Sequence, residues 1–190
     1  MVPARGGSKS IPRKNLAQVG GISLVGRAGK LATGLGWVDR AIISTDDEEI
    51  AAEAVKYGLD APFMRPEELA RDNSSSNDMW RHAWLASEDH YGMRFDISIL
   101  LEPTSPLRRF EDVKLTVQTL VDSGHKAAAT LSPTQAHFAP QKTLQLDDRG
   151  NLKPHLPVGR IALRQDIPDF FHCNGICYAL RRTTLVDEGH

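Results

Sequence analysis

Short apolar runs alternate with amphipathic segments of helical period along most of the chain, and this alternation constrains the fold more than any other feature. "AIIST" at 41–45 predicts a buried strand. "DDEEIAAEAVKYG" directly after it predicts a helix, with Asp46 as the N-cap, Glu49 closing a capping box and Gly58 ending the helix. The two segments together form one strand–helix unit.

The same pattern recurs further along. "FDISILL" at 95–101 predicts a second strand, and "AAATL" and "GICYAL" predict two more. Helices are expected over "SNDMWRHAWLASEDH" and "EDVKLTVQTLVDSG". Their inward faces are expected to carry Met79, Trp80, Ala83 and Trp84 in the first helix, and Val113, Val117, Leu120 and Val121 in the second. The order predicts an α/β fold with a mostly parallel sheet flanked by helices, and ligands of such sheets bind beyond the carboxyl ends of the strands.

Length and charge restrict the classes of protein that fit. The 190 residues, 41% of them apolar, suffice for one sizeable core, which predicts a single domain over 1–190. Twenty-three Lys and Arg oppose 24 Asp and Glu, so no nucleic-acid or anionic membrane surface is expected. No apolar run approaches the roughly 20 residues of a membrane helix, and we expect a cytoplasmic protein. Cys173 and Cys177 are predicted to be two buried thiols rather than a zinc site.

Residues 132–172 interrupt the strand–helix rhythm with five prolines and only short apolar runs. Because a structureless loop of about 40 residues is uncommon inside a compact domain, this stretch predicts a small hairpin-based lobe inserted in the fold. Few residues precede Pro3, and the chain stops soon after a helix start at Thr183 and Thr184. We therefore expect both ends to be truncated.

"VPARGGSKSIPRKNL" at 2–16 brings two glycines and several cations into one loop. Gly6 and Gly7 allow positive φ and close backbone approach, so successive N–H groups can converge on an anion, to which nearby cations add charge: Arg5, Lys9, Arg13 and Lys14. Neither the P-loop pattern nor the dinucleotide-binding glycine pattern is present. The loop predicts phosphate binding, and the alternative is a solvated basic turn.

Five motifs together resemble the CMP-sialic acid synthetases, also called acylneuraminate cytidylyltransferases. They are "ARGGSKSIPRKN", "STDDEEIA", "RPEELARD", "LLEPTSPLR" and "NGICYAL", and the likeness in order and spacing covers almost the whole chain. The resemblance implies a Rossmann-like nucleotidyltransferase fold with a small dimerisation lobe at 132–172. It also implies a homodimer and Mg²⁺-dependent transfer of CMP from CTP to a nine-carbon 2-keto sugar acid, with release of pyrophosphate.

The resemblance also implies roles for individual residues. Arg5, Lys9 and Lys14 are expected to act on the phosphates during catalysis. Four residues are expected to bind CTP: Ser8, Asn15, Arg65 and Ser76. Four are expected to meet the sugar acid: Glu102, Lys142, Arg164 and Asn174. In the family, Lys142 and Arg164 fall on basic residues of the lobe, which reaches toward the neighbouring subunit's site.

Two departures from the family pattern affect the expected activity. Glu102 stands where the best-known sialic acid enzymes have Gln, which favours a related nonulosonic acid such as legionaminic or pseudaminic acid. The aspartate pair that binds Mg²⁺ in the family falls beyond residue 190, so no metal ligand is assigned here. The alternatives are a cytidylyltransferase for an eight-carbon acid such as Kdo, and a CTP-binding protein without turnover.

Overall fold

The computed structural model describes residues 1–9, 11–156 and 163–189. The chain divides into two compact units. The first consists of Met1–Thr130 and Gly175–His190, and the second of Leu131–Asn174.

The described residues of the first unit form four α-helices: α1 (Leu24–Gly34), α2 (Glu48–Lys56), α3 (Ser76–Tyr91) and α4 (Phe110–Ser123). Side-chain oxygens cap the first three, because Ser23, Asp47 and Ser75 each accept a backbone N–H from the first turn. Gly92 and Gly124 end α3 and α4 in the left-handed conformation, which glycine adopts without strain.

The strands are β1 (Val2–Pro3), β2 (Gln18–Val19), β3 (Ile22–Ser23), β4 (Ile43–Ser44), β5 (Ile97–Leu100), β6 (Ala127–Thr134), β7 (Leu144–Leu146), β8 (Leu152–Pro154) and β9 (Phe170–Arg181). The boundary between the two units falls within both β6 and β9. A π-helical segment, Thr183–Asp187, follows β9.

On one side of the sheet, β1 and its neighbouring strands run parallel to each other. β1 pairs in parallel with β4, and the amino group of Met1 donates to the Ile99 carbonyl at 2.7 Å. The Leu101 N–H donates back to the Met1 carbonyl at 3.0 Å, so β1 lies between β4 and β5. β9 then pairs antiparallel with β5, and β6 follows β9 in the sheet order. The α/β prediction is therefore confirmed, with β9 running opposite to β5.

Two hydrophobic clusters form the core of the first unit. The larger joins β1 and β4 to α1, α2 and α4 and includes the fully buried Val2, Ile43 and Val113. The smaller packs Trp80 and Trp84 of α3 against the segment after β9. The predicted inward face of α3 is confirmed, because Met79, Trp80, Ala83 and Trp84 are all buried.

Two local predictions are wrong. The N-cap of α2 is Asp47 rather than Asp46, because the Asp47 carboxylate accepts the N–H groups of Glu49 and Ile50. On α4, Val121 is half exposed and Thr116 is buried instead, since the Thr116 hydroxyl bonds the Asp112 carbonyl and can enter the core satisfied. A polar side chain with a hydrogen-bond partner on its own helix can thus be buried in place of an apolar one.

The second unit contains an antiparallel hairpin of β7 and β8, in which Leu146 lies opposite Leu152. Cys173 also belongs to this unit and is exposed, whereas Cys177 of the first unit is buried. The prediction of two buried thiols is therefore wrong for Cys173. The left-handed Gly175 lies between them and interrupts the regular alternation of β9.

Across the described residues, no helix is both long enough and apolar enough to cross a membrane.

Candidate active site

A cleft of about 640 Å³ opens beyond the carboxyl ends of β1 and β5 in the first unit. Its walls come from segments that are distant in sequence: the loop after β1, the start of α3, the loop after β5 and one side chain of β9. The lining residues include Arg5, Ser8, Lys9, Lys14, Asn15, Arg65, Ser76, Asn77, Trp80, Glu102, Thr104 and Tyr178. Its position is the one predicted for a ligand site of an α/β sheet.

Eight of the candidate residues meet at this cleft, although they span almost 100 positions of sequence: Arg5, Ser8, Lys9, Lys14, Asn15, Arg65, Ser76 and Glu102. The other three candidates, Lys142, Arg164 and Asn174, lie in the second unit. There the Asn174 amide donates to the Ser132 hydroxyl at 3.1 Å, and Arg164 begins a short 3-10 turn with its side chain exposed.

The glycine-rich loop is built differently from the sequence prediction. Neither Gly6 nor Gly7 has positive φ, and the Gly6 N–H donates to the Asp46 carboxylate at 2.9 Å rather than being free for a ligand anion. A Cβ on Gly6 would lie 2.7 Å from Asp47 Oδ2. Glycine is therefore needed here for close packing against the start of α2, and the prediction of converging amides is wrong for Gly6.

Arg13 does not line the cleft. It adopts a left-handed conformation with φ of 51°, and its guanidinium pairs with Glu49 at 2.5 Å. Asp47 lies 3.9 Å from the same guanidinium. The prediction that all four loop cations serve one anion is therefore wrong for Arg13, because acidic residues at the start of α2 take its charge.

Asn15 and Lys14 belong to a 3-10 turn, Lys14–Leu16, that closes the loop. Asn15 is buried, and its amide donates to the Arg5 carbonyl at 3.0 Å, which fixes the loop backbone beside the cleft. Lys14 lines the cleft, and among the described residues no carboxylate pairs with it within 4 Å. Its ammonium group is thus available to a ligand anion.

Arg65 is a nearly buried cation at the same cleft. Its guanidinium donates to the Ser44 hydroxyl at 3.1 Å and to the Ser44 carbonyl, and it is 7% exposed. Burial lowers the pKa of Arg65 to about 10, with the charge of Asp46 opposing the shift. The side chain therefore remains protonated at neutral pH and supplies a fixed positive charge attached to β4.

Arg5 and Lys9 share one carboxylate. Asp72 Oδ1 lies 2.9 Å from Arg5 Nη2, and Asp72 Oδ2 lies 2.5 Å from Lys9 Nζ. Reasoning from the sequence missed Asp72, although it ends the "RPEELARD" motif quoted above. Its place in that motif could have indicated a role for Asp72, but only the folded loop brings the Asp72 carboxylate to Arg5 and Lys9.

The amino end of α3 forms another wall. Ser75 caps the helix by accepting the N–H groups of Asn77 and Asp78, so Ser76 and Asn77 lie at the mouth of the cleft. A helix amino end favours negative charge. One turn on, Trp80 is buried and donates its indole N–H to the Ser98 hydroxyl at 2.8 Å, and it also lines the cleft. Trp80 is thus both a core residue, as predicted, and part of the site wall.

Glu102 lies on the loop after β5, and Arg108 holds that loop in place. The Arg108 guanidinium donates to the backbone carbonyls of Glu102 at 2.7 Å, Gly175 at 3.1 Å and Ile176. Burial lowers the pKa of Arg108 to about 10, so the group remains charged at neutral pH. The sequence reasoning did not single out Arg108, which connects the loop to β9.

A second cavity, about 320 Å³, lies beside Met1 between β4 and β5. Its lining is mainly apolar and includes Leu35, Trp84 and Phe95. We assign the chemistry to the larger cleft, because that is where the predicted phosphate-binding cations meet.

Comparison with known proteins identifies the family of the chain. A family model described as "Cytidylyltransferase" matches residues 1–164. The chain belongs to the cytidylyltransferase family. Members of this family are nucleotidyltransferases, so the expected family and enzyme class are confirmed.

Two curated relatives narrow the comparison. The chain is 33% identical to the CMP-N,N'-diacetyllegionaminic acid synthase of Legionella pneumophila over 157 residues, covering 82% of this chain and 66% of the relative. It is 29% identical to the pseudaminic acid cytidylyltransferase of Campylobacter jejuni over 180 residues, covering 94% of this chain and 75% of the relative. The chain thus spans between two thirds and three quarters of the length of these relatives.

Among solved structures, CMP:2-keto-3-deoxy-manno-octonic acid synthetase in complex with CTP matches 98% of this chain and 75% of its own. The TM-score is 0.70 and the sequence identity 22%. This likeness establishes the cytidylyltransferase fold and agrees with the α/β topology described above.

Proposed function

We propose that this cytidylyltransferase transfers CMP from CTP to the anomeric hydroxyl of a nonulosonic 2-keto sugar acid and releases pyrophosphate. The observation that carries the proposal is the convergence of Arg5, Lys9, Lys14 and Arg65 on one cleft. Its volume of about 640 Å³ is within the range of small-molecule sites. Four cations and a helix amino end suit a polyanion such as a nucleoside triphosphate.

The proposed chemistry is an in-line displacement at the α-phosphorus. The anomeric hydroxyl attacks, and negative charge increases on the phosphoryl oxygens and on the departing pyrophosphate. Arg5, Lys9 and Lys14 would stabilise that charge from fixed positions, and no covalent enzyme intermediate is required. The remaining nucleotide contacts are assigned to Ser8, Asn15, Arg65 and Ser76.

The acceptor is proposed from the relatives' names and from Glu102. Those names specify legionaminic and pseudaminic acid derivatives, both nonulosonic acids. Glu102 lines the cleft with a carboxylate that accepts hydrogen bonds when ionised, so it suits a hydroxyl or amide N–H on the acceptor. Asn174 is proposed to contact the sugar, and Lys142 or Arg164 to meet its carboxylate.

Mg²⁺ is the proposed cofactor. Among the described residues, no three His, Cys, Asp or Glu side chains cluster in a way that could hold a metal ion by themselves. Mg²⁺ is commonly held by one or two carboxylates together with substrate phosphates and water, and Glu102 is the carboxylate that lines the cleft. We therefore propose that Glu102 would help to hold Mg²⁺ together with the triphosphate, and that the ion would supply neutralisation of the phosphate charge.

A homodimer is proposed through the inserted lobe predicted at 132–172, whose residues lie in the second unit. In the β7–β8 hairpin, Leu146 and Leu152 face each other across the strands and are each 68% exposed. Leu144, two residues from Leu146 and therefore on the same face, is 55% exposed. A contiguous apolar face of this kind suits a second copy of the chain as its partner.

The proposed reaction uses CTP and is assigned to the cytoplasm.

Two alternatives remain. An eight-carbon acid such as Kdo would use the same mechanism, and the structural likeness to a CMP:2-keto-3-deoxy-manno-octonic acid synthetase favours it. The second alternative is a protein that binds CTP without turnover, which would release no pyrophosphate.

One experiment separates these functions. The protein is incubated with CTP, Mg²⁺ and each of four acids in turn: N-acetylneuraminic, N,N'-diacetyllegionaminic, pseudaminic and Kdo. Pyrophosphate release and the CMP-sugar mass are recorded. A nonulosonic product supports the proposal, and a product with Kdo alone supports the first alternative. CTP binding by calorimetry without any product would support the second.

A further inference from the structure

Asp72 occupies the position of an anion between two cations of the cleft. It is the residue to which both Arg5 and Lys9 are paired, at 2.9 and 2.5 Å. Arg5 also donates through Nη1 to the Ala70 carbonyl at 3.4 Å, on the same loop. The hydrogen bond from Lys9, together with the charges of Lys9 and Arg5, holds the pKa of Asp72 below its usual range. The carboxylate is thus ionised at neutral pH.

The four cations of the cleft therefore fall into two pairs. Arg5 and Lys9 share the single negative charge of Asp72, whereas among the described residues no carboxylate lies within 4 Å of the charged groups of Lys14 and Arg65. A ligand anion that uses Arg5 and Lys9 must replace Asp72 or share their donors with it. In either case, the carboxylate opposes the ligand's charge at a distance of a few ångströms.

We infer that Asp72 is a specificity-determining residue that acts as an internal competitor for ligand phosphates: it weakens the binding of ligands that use Arg5 and Lys9 and leaves ligands without phosphate unaffected. This inference rests on the proposed function, because it concerns the same cleft. A ligand with several phosphates can compensate for the lost Asp72 contacts. A ligand with none does not need Arg5 or Lys9, so Asp72 should not affect its binding.

The test compares ligands of increasing charge by titration calorimetry: cytidine, CMP, CTP and inorganic tripolyphosphate. The variant is Asp72→Asn, which keeps the shape and removes the charge. Asp89→Asn is the matched control, because Asp89 is an exposed carboxylate on α3 that does not line the cleft. The control separates local competition from the change in net charge.

We expect Asp72→Asn to bind CTP and tripolyphosphate about two- to fivefold more tightly than the unmodified protein, the range expected for losing exposed ion pairs. Cytidine should bind equally to both, and Asp89→Asn should match the unmodified protein. The gain should shrink as salt is added, because exposed charges are screened.

Three outcomes distinguish this inference from the proposed function. CTP binding that is unchanged or weaker in Asp72→Asn overturns the inference and leaves the proposed function intact. If Asp72→Asn binds tripolyphosphate more tightly than the unmodified protein but none of the proteins binds CTP, the inference is supported and CTP is excluded as the ligand. If no phosphate compound binds to any of the three proteins, both are overturned.

Discussion

The carboxylate of Glu102 lies directly against the backbone of Gly175, where a Cβ would be 2.7 Å from Glu102 Oε2. Gly175 also has φ of +73°, a conformation that side chains of L-residues rarely adopt. Arg108 binds the carbonyls of both residues. Two features therefore require glycine at position 175: the positive φ of its backbone and the close contact with the Glu102 carboxylate.

Gly175→Ala should destabilise the protein by about 1–3 kcal/mol and reduce activity, because it combines backbone strain with displacement of Glu102. Gly124→Ala is the matched control. Gly124 has φ of +68°, and nothing lies within 4 Å of a Cβ placed there, so it measures the strain alone. Urea unfolding and initial rates would be compared. Equal losses in the two variants would show that the contact with Glu102 is unimportant.

Lys14→Ala should lower kcat/KM by about 100- to 1,000-fold, because one fixed electrostatic donor at a reacting centre is worth about 2.7–4 kcal/mol. The free energy of unfolding should change little, since Lys14 has no ion pair among the described residues. Lys30→Ala, an exposed lysine on α1, serves as the control. Undiminished turnover by Lys14→Ala would remove Lys14 from the mechanism.

The two cysteines should react with thiol reagents at very different rates. Cys173 is exposed, whereas Cys177 is fully buried, and burial raises the pKa of Cys177 to about 11. At neutral pH, we expect one equivalent of label on the folded protein and two after denaturation. Mass spectrometry should locate the first label on Cys173, and Cys173→Ser should abolish it. Rapid labelling of folded Cys177 would contradict the assigned burial.

The ion pair of Glu88 and Arg182 should contribute a stability term that acid removes. Arg182 donates to the two Glu88 oxygens at 2.9 and 3.0 Å, and both side chains are about 15% exposed. Burial acts to raise the pKa of Glu88, but hydrogen bonds from Arg182 and the Phe95 N–H outweigh it and lower that pKa. The folded state thus binds this proton less readily than the unfolded state. The stabilisation is complete above the usual glutamate pKa of about 4.3 and is lost as pH falls through the lowered value.

Glu88→Gln should therefore reduce the free energy of unfolding by about 2 kcal/mol at pH 7. The difference in free energy of unfolding between the two proteins should narrow below about pH 4, where Glu88 becomes protonated and is uncharged like Gln. Urea unfolding at several pH values measures both effects. Glu67→Gln, which removes an exposed carboxylate 3.7 Å from Arg71, should have little effect. A difference that stays constant with pH would contradict the role of this charge.

Much of the local structure was predictable because its causes are local. The spacing of Met79, Trp80, Ala83 and Trp84 repeats with the helical period, and the structure buries all four. Gly58 after α2 and Gly124 after α4 adopt positive φ where the sequence predicted helix ends. The motif order also predicted the cytidylyltransferase family, which the match over residues 1–164 confirms.

The sequence by itself thus determined the strand and helix segments, the family and the set of polar loops from which a site could be built. Only the tertiary structure decided how the charges in those loops are used. It turned Arg13 toward Glu49, brought Asp72 to Arg5 and Lys9, and placed Gly6 against Asp47. These pairs are separated by tens of residues, so no local period encodes them, and their geometry follows from how the loops pack at the ends of β1 and β4. A periodic pattern identifies what a short segment can form, whereas the partner of a loop charge depends on the packing of the whole sheet edge.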